Sequence, residues 1–246
     1  MQSHELDGKV ALVTGAPHGI GGAISHALAR CGASVALNWP DGEADTGAVS
    51  EAVADTRIVA VRSRRDDTSD IARMFDAAEH ALGPLDIVIN AMEPVQEWAD
   101  VADLSLETYD AITQQAAKMP FFVLQQAALR VCTDGRLLLV MPDATLPAGF
   151  TGAAHAGAGA AAAVYLRVLA REVGSRGITV NAISRKPHEY TTGHASQPST
   201  SADARVDRDR DHGMSGDIAA LTAFLAGPDA RWINGQILHV DSVRPA

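Results

Sequence analysis

Short β-branched runs alternate with longer stretches of helical period along this chain. Val10–Val13 reads as a first strand. Ile20–Cys31 reads as a helix with Ile20, Ile24 and Leu28 on one face, ended by Gly32. Ser34–Leu37, Arg57–Val61 and Leu85–Asn90 predict three more strands, separated by helices at about 44–54 and 68–82. Ser105–Arg130 is a long helical region, Gly135–Met141 an apolar strand, Ala153–Ser175 an Ala-rich helix and Thr179–Ile183 a strand. Residues 215–226 predict a helix and Ile237–Val240 a last strand. Such alternation predicts an α/β fold: a Rossmann-like, doubly wound parallel sheet of about seven strands with helices on both faces. No repeat and no second core interrupts it, so residues 1–246 are expected to form one domain. Residues 186–213 break the pattern, being rich in His, Ser, Thr, Asp and Arg. A polar surface loop is expected there, either a lid over a cleft or an insertion.

Composition narrows the partners. A hydrophobic content of 47% with 20% charged residues suits a soluble globular chain. The formal net charge of −10 argues against nucleic acid and anionic membranes. Cys31 and Cys132 lie far apart and read as reduced thiols. The nine histidines are scattered without ligand-like spacing, so no metal is expected. No signal-like segment precedes the first strand, and no apolar run reaches about 18 residues. The expected location is therefore cytoplasmic.

Thr14-Gly15-Ala16-Pro17-His18-Gly19-Ile20-Gly21 follows a strand and opens a helix. Glycines there permit a tight turn and close backbone approach to a pyrophosphate, whose charge is favoured at the helix N-terminus. With its strand-helix context, the loop resembles that of the short-chain dehydrogenase/reductases, close to the 3-oxoacyl-acyl-carrier-protein reductases. Gly83-Pro-Leu-Asp-Ile-Val-Ile-Asn90, the segment Leu169–Ile183 and Asn234-Gly-Gln-Ile-Leu-His-Val-Asp241 extend the resemblance over essentially the whole chain. It implies an NADP(H)-type cofactor, contacted through Gly15, His18, Gly19, Ile20, Gly21, Asn38 and Asn90. It also implies a tyrosine–lysine–serine–asparagine tetrad that reduces a carbonyl.

That tetrad is altered throughout. The tyrosines are Tyr109, Tyr165 and Tyr190, followed four residues later by Thr113, Leu169 and His194, so no Tyr-x-x-x-Lys pair exists. Registers counted from Glu172 and from Gly135-Arg136 agree in placing the tyrosine station at His155 and the lysine station at Gly159. The serine station becomes Pro142 and the asparagine station Ala116. Pro142 lacks a donor, Gly159 lacks a charge and Ala116 cannot position water. Only His155 keeps acid–base chemistry. The cofactor side is altered as well. The glycine of the family's Asn-Ala-Gly turn is replaced in Asn90-Ala91-Met92-Glu93, and the Pro-Gly after strand six reads Arg185-Lys186. The adenine-contacting acid falls near Arg64, with Asp66 and Asp67 beside it, Pro17 removes an amide donor, and Asp41 would repel a nearby phosphate. These changes argue against nicotinamide binding.

Three functions follow as expectations. The first is a non-catalytic subunit, in a homo- or hetero-oligomer with an intact chain of the same fold, serving acyl-carrier or polyketide-like substrates. The second is a repurposed enzyme doing non-redox acid–base chemistry (cyclisation, dehydration or aldol type). It would use His155 with Asp143, Glu93, Lys186, His188 and Tyr190 gathered around the old cleft. The third is a residual NADPH-dependent ketoreductase with His155 as its acid.

Overall fold

Seven parallel strands run in the order β3-β2-β1-β4-β5-β6-β7 in the computed structural model, which describes residues 5–15, 19–39, 57–63, 68–91, 99–142, 152–185 and 203–240. The strands are β1 Val10–Thr14, β2 Ser34–Trp39, β3 Ile58–Arg62, β4 Ile87–Asn90, β5 Arg136–Pro142, β6 Thr179–Arg185 and β7 Ile237–Val240. The helices are α1 Gly19–Arg30, α2 Thr68–Leu82, α3 Leu106–Thr113, α4 Met119–Arg130, α5 Ala153–Glu172 and α6 Asp203–Ala226. The expected α/β architecture and strand number are both present. The helix expected at about 44–54 lies outside the described residues.

Two apolar layers sandwich the sheet, because alternate strand residues point to opposite faces. Leu12, Leu137, Leu139, Val180 and Ala182 pack with Phe75 of α2, Val123 of α4 and Leu166 of α5. Val13, Leu138 and Ile183 pack on the other face with Ile24 and Leu28 of α1 and Ile218 of α6. Helix α5 is by length and composition apolar enough to cross a membrane, although no run of apolar residues had suggested it. Its inner face is a core face of this sheet.

The region expected to be helical, Ser105–Arg130, is helical from Leu106 to Arg130, with a π segment, Gln114–Lys118, between α3 and α4. One expectation is corrected. The polar stretch 186–213 is not all loop, since α6 begins at Asp203. A segment that is mostly charged has no apolar stripe, and hydrophobic periodicity cannot reveal it as helix. Residues 186–202 lie outside the described residues.

Asparagines clamp the far edge of the sheet. Asn181 donates to the Ile233 carbonyl at 2.8 Å and accepts from the Gln236 amide at 3.0 Å. Asn234 accepts from the Val180 amide at 2.8 Å and donates to the Ala170 carbonyl at 3.1 Å, tying β6 to α5. Asn181→Ala strands two backbone groups at a fully buried position. It is expected to cost about 1–3 kcal/mol, read as a shifted urea midpoint.

Candidate active site

Strand order reverses between β1 and β4, so the crevice beyond their carboxyl ends is where an open α/β sheet offers a ligand site. Thr14 Oγ1 donates to Asn90 Oδ1 at 2.6 Å, joining the two buried strand ends. Gly15 (φ 78°) and Gly19 (φ 58°) both adopt the left-handed conformation that favours glycine. Gly19 starts α1, and Ile20 and Gly21 are buried in its first turn. Unpaired amides of that turn and the helix dipole favour an anion such as a diphosphate. His18 and Pro17 lie outside the described residues.

Asn38 is tied to the neighbouring strand. Its Nδ2 donates to the Val61 carbonyl at 3.3 Å and to Ser63 Oγ at 2.7 Å. With 2% exposure, this amide fastens the end of β2 to β3.

The opposite wall consists of the π segment and α5, which pack together. Ala116 is half-buried within the π segment, where the Met119 amide reaches back to the Gln114 carbonyl. His155 is the third residue of α5 and is 2% exposed. Gly159 is buried one turn later on the same helical face. Pro142 ends β5, paired in register with Arg185 of β6. The neighbouring pair is Met141 with Ser184, whose buried hydroxyl has no hydrogen-bond partner among the described residues. Thr14, Gly15 and Asn90 are thus gathered at one strand edge, and His155 and Gly159 share one helix face. Asp41, Arg64, Asp66, Asp67, Glu93, Asp143, Lys186, His188 and Tyr190 lie outside the described residues. Among the described residues no group of three or more His, Cys, Asp or Glu could hold a metal.

Ser184 and the π segment were missed in the sequence. A serine in a strand carries no signal of isolation, and a π turn has no period of its own. Burial pushes the Arg136 guanidinium below its ordinary pKa, opposed by the charge of Asp134. Arg136 begins β5, however, roughly 20 Å of strand away from Pro142.

A family profile described as enoyl-(acyl carrier protein) reductase matches residues 15–242. The chain belongs to the short-chain dehydrogenase/reductase family. It is 32% identical over 250 residues to a hydroxynaphthalene reductase-like protein of Metarhizium majus, covering 95% of this chain and 93% of that one. Among solved structures, a short-chain dehydrogenase/reductase of Serratia marcescens superposes with a TM-score of 0.82 at 28% identity, covering 97% and 98% of the two chains. A short-chain dehydrogenase of Burkholderia cenocepacia, solved in complex with NADP, has a TM-score of 0.79 at 31% identity over 96% and 98%. Family members of this similarity thus include reductases and NADP binders, and the fold of this chain is theirs.

The residues present fit an NADP(H)-type cofactor unequally. Gly15, Gly19 and the first turn of α1 suit its diphosphate. The inner face of α5 presents Gly159 where the resemblance places a lysine.

Proposed function

We propose that this protein is a non-catalytic subunit of dehydrogenase/reductase fold that pairs with a ketoreductase-type chain in acyl or polyketide metabolism. Helix α5 is the observation that supports this reading. Its inner face bears buried His155 and Gly159 where carbonyl reduction asks for a phenol and a cation. From Ala153 to Leu166 it has no Asp, Glu, Lys or Arg. Its outer face nevertheless exposes Val164 by 54% and Val168 by 50%, and α4, whose Phe121 meets Tyr165 of α5 edge to face, exposes Phe121 and Leu129. A stretch of helix apolar on both sides, as α5 is from Ala153 to Leu166, is ordinarily covered on both, and Arg167 and Arg171 border it on the outer face. A second chain of the same fold, with its own ketoreductase machinery, would cover it, and the reductase relatives favour a partner of that class.

Co-expression with a ketoreductase encoded alongside it should yield a mixed oligomer whose activity falls when this chain is omitted. A lone homo-oligomer that ignores the reductase would refute the reading. Val168→Asp is expected to weaken pairing at least about tenfold, since it buries an unpaired charge in the contact. The same change should alter unfolding free energy by less than about 0.5 kcal/mol. Size-exclusion light scattering and urea titration give the two numbers.

One observation favours a second reading, non-redox acid–base chemistry on a polyketide-like substrate. The imidazole of His155 is buried on the cleft-side helix face rather than drifting on the surface. His155→Ala should then abolish a cyclisation, dehydration or aldol-type turnover; an unchanged rate would remove this residue from any such role.

A further inference from the structure

The outer surface formed by α3, the π segment, α4 and α5 has two unlike halves. Helix α3 and the first half of α5 leave a groove of about 700 Å³ between them, lined by Leu106, Tyr109, Ala153, Gly157 and Ala161 among others. A methyl group added at Gly157 would meet nothing within 4 Å, so the groove is open at that point. The second half of α5 forms a ridge instead, with Val164 and Val168 standing half-exposed. Tyr109 shares the groove with Gly157, and Phe121 meets Tyr165 further along both helices. The rod from α3 to α4 and helix α5 therefore run side by side in one direction. Charge follows the same division. Asp103, Glu107 and Asp110 are exposed at the groove end, where residues 99–117 include no Lys or Arg. Arg167 and Arg171 are exposed at the ridge end of α5, against the single acid Glu172. Lys118 lies between the two ends.

We infer that in the absence of a reductase this face closes on a second copy of the same chain, with the two α5 helices antiparallel. A two-fold axis crossing α5 at Ala161 sets Val164 of one copy level with Ala158 of the other, and Val168 level with Ala154, both within the groove. The same axis sets Arg167 level with the first turn of the other copy's α5, beside which α3 carries Glu107 and Asp110. Each copy thus offers one ridge and one groove, and the contact is isologous, made twice over by one surface. Parallel pairing would instead set ridge on ridge and acid beside acid, where like charges repel. Burial of the valines removes apolar surface from water, and the end charges set the direction of pairing more than its strength. A ketoreductase-type partner then competes with the chain's own copy for this face. The inference rests on the reading of the α5 outer face as a pairing surface, and it is tested on this chain alone.

Sedimentation velocity on the purified full chain should show a dimer at micromolar concentration that dissociates on dilution. Gly157→Leu fills the groove and is expected to weaken the dimer at least about tenfold, as overpacking of a contact does. Leucine favours helix over glycine at this exposed position, so the variant keeps its fold. Arg167→Glu with Arg171→Glu, and separately Glu107→Arg with Asp110→Arg, should each leave mostly monomer. Mixing the two double variants should restore a pair made of one copy of each, because both ends then match in charge. A wild-type chain that stays monomeric at high micromolar concentration overturns the inference. So does a dimer unmoved by Gly157→Leu, or charge-reversed variants that fail to pair when mixed. A chain monomeric alone yet paired with a co-expressed reductase would overturn this inference and leave the partner-subunit reading standing. A charge-matched dimer that never takes up the reductase would support this inference and sink that reading.

Discussion

Purified alone and given NADPH with a bicyclic aromatic ketone, the protein is expected to reduce it at least about 10²–10⁴-fold more slowly than an intact reductase of its fold. Loss of one positioned general acid accounts for that factor, and here the phenol is not the only group missing. Buried Gly159 provides no ammonium to lower the pKa of an acid or to hold a ribose. Ala116 provides no carboxamide, and Pro142 has neither hydroxyl nor amide hydrogen to donate. Roles that act as a unit do not lose rate additively, so the lower bound is set by the acid alone. Absorbance at 340 nm over hours checks this. A rate within tenfold of an intact enzyme would show that His155 serves as an effective acid and would favour the residual ketoreductase.

Leu166→Ala is expected to destabilise the protein by about 2–5 kcal/mol, read as a lowered urea midpoint. Leu166 is 0% exposed and packs from α5 into the layer containing Leu137, Leu139 and Val180. The lost transfer energy adds to that of a cavity which β5 and β6, fixed in a seven-residue parallel register, cannot collapse to fill. The prediction bears on function because α5 is where the chemistry has changed. A large cost at Leu166 means the inner face is still held to enzyme-grade packing. A cost under about 1 kcal/mol would mean that α5 has loosened along with its chemistry, and would weaken both readings of His155.

Much of the scaffold was legible before any coordinates. Ile237–Val240 was expected as the last strand and is β7 with the same bounds. Residues 68–82 were expected as a helix and form α2. Both signals are local, a period-two or period-3.6 pattern over one short window. The glycine loop was legible for a similar reason, because left-handed backbone at Gly15 and Gly19 demands a residue without a side chain. The structural bonds of Asn38 were not legible in the same way. Its partners are Val61 of β3 and Ser63 just beyond that strand, and only the register of β2 on β3 brings them within reach. The start of α6 at Asp203 escaped because charged residues leave no apolar trace.

By itself the sequence determined the order of strands and helices, the glycine turn and the want of any Tyr-x-x-x-Lys pair. Each depends on residue identity and short spacing, which are present in the chain before it folds. Only the tertiary structure decided which side of α5 faces the sheet. It thereby set His155 and Gly159 inward and Val164 and Val168 outward. It alone left the buried Ser184 hydroxyl without a hydrogen-bond partner among the described residues. These are facts about segments far apart in the chain. They are fixed by sheet register and by close packing of helix on sheet, neither of which any local pattern encodes.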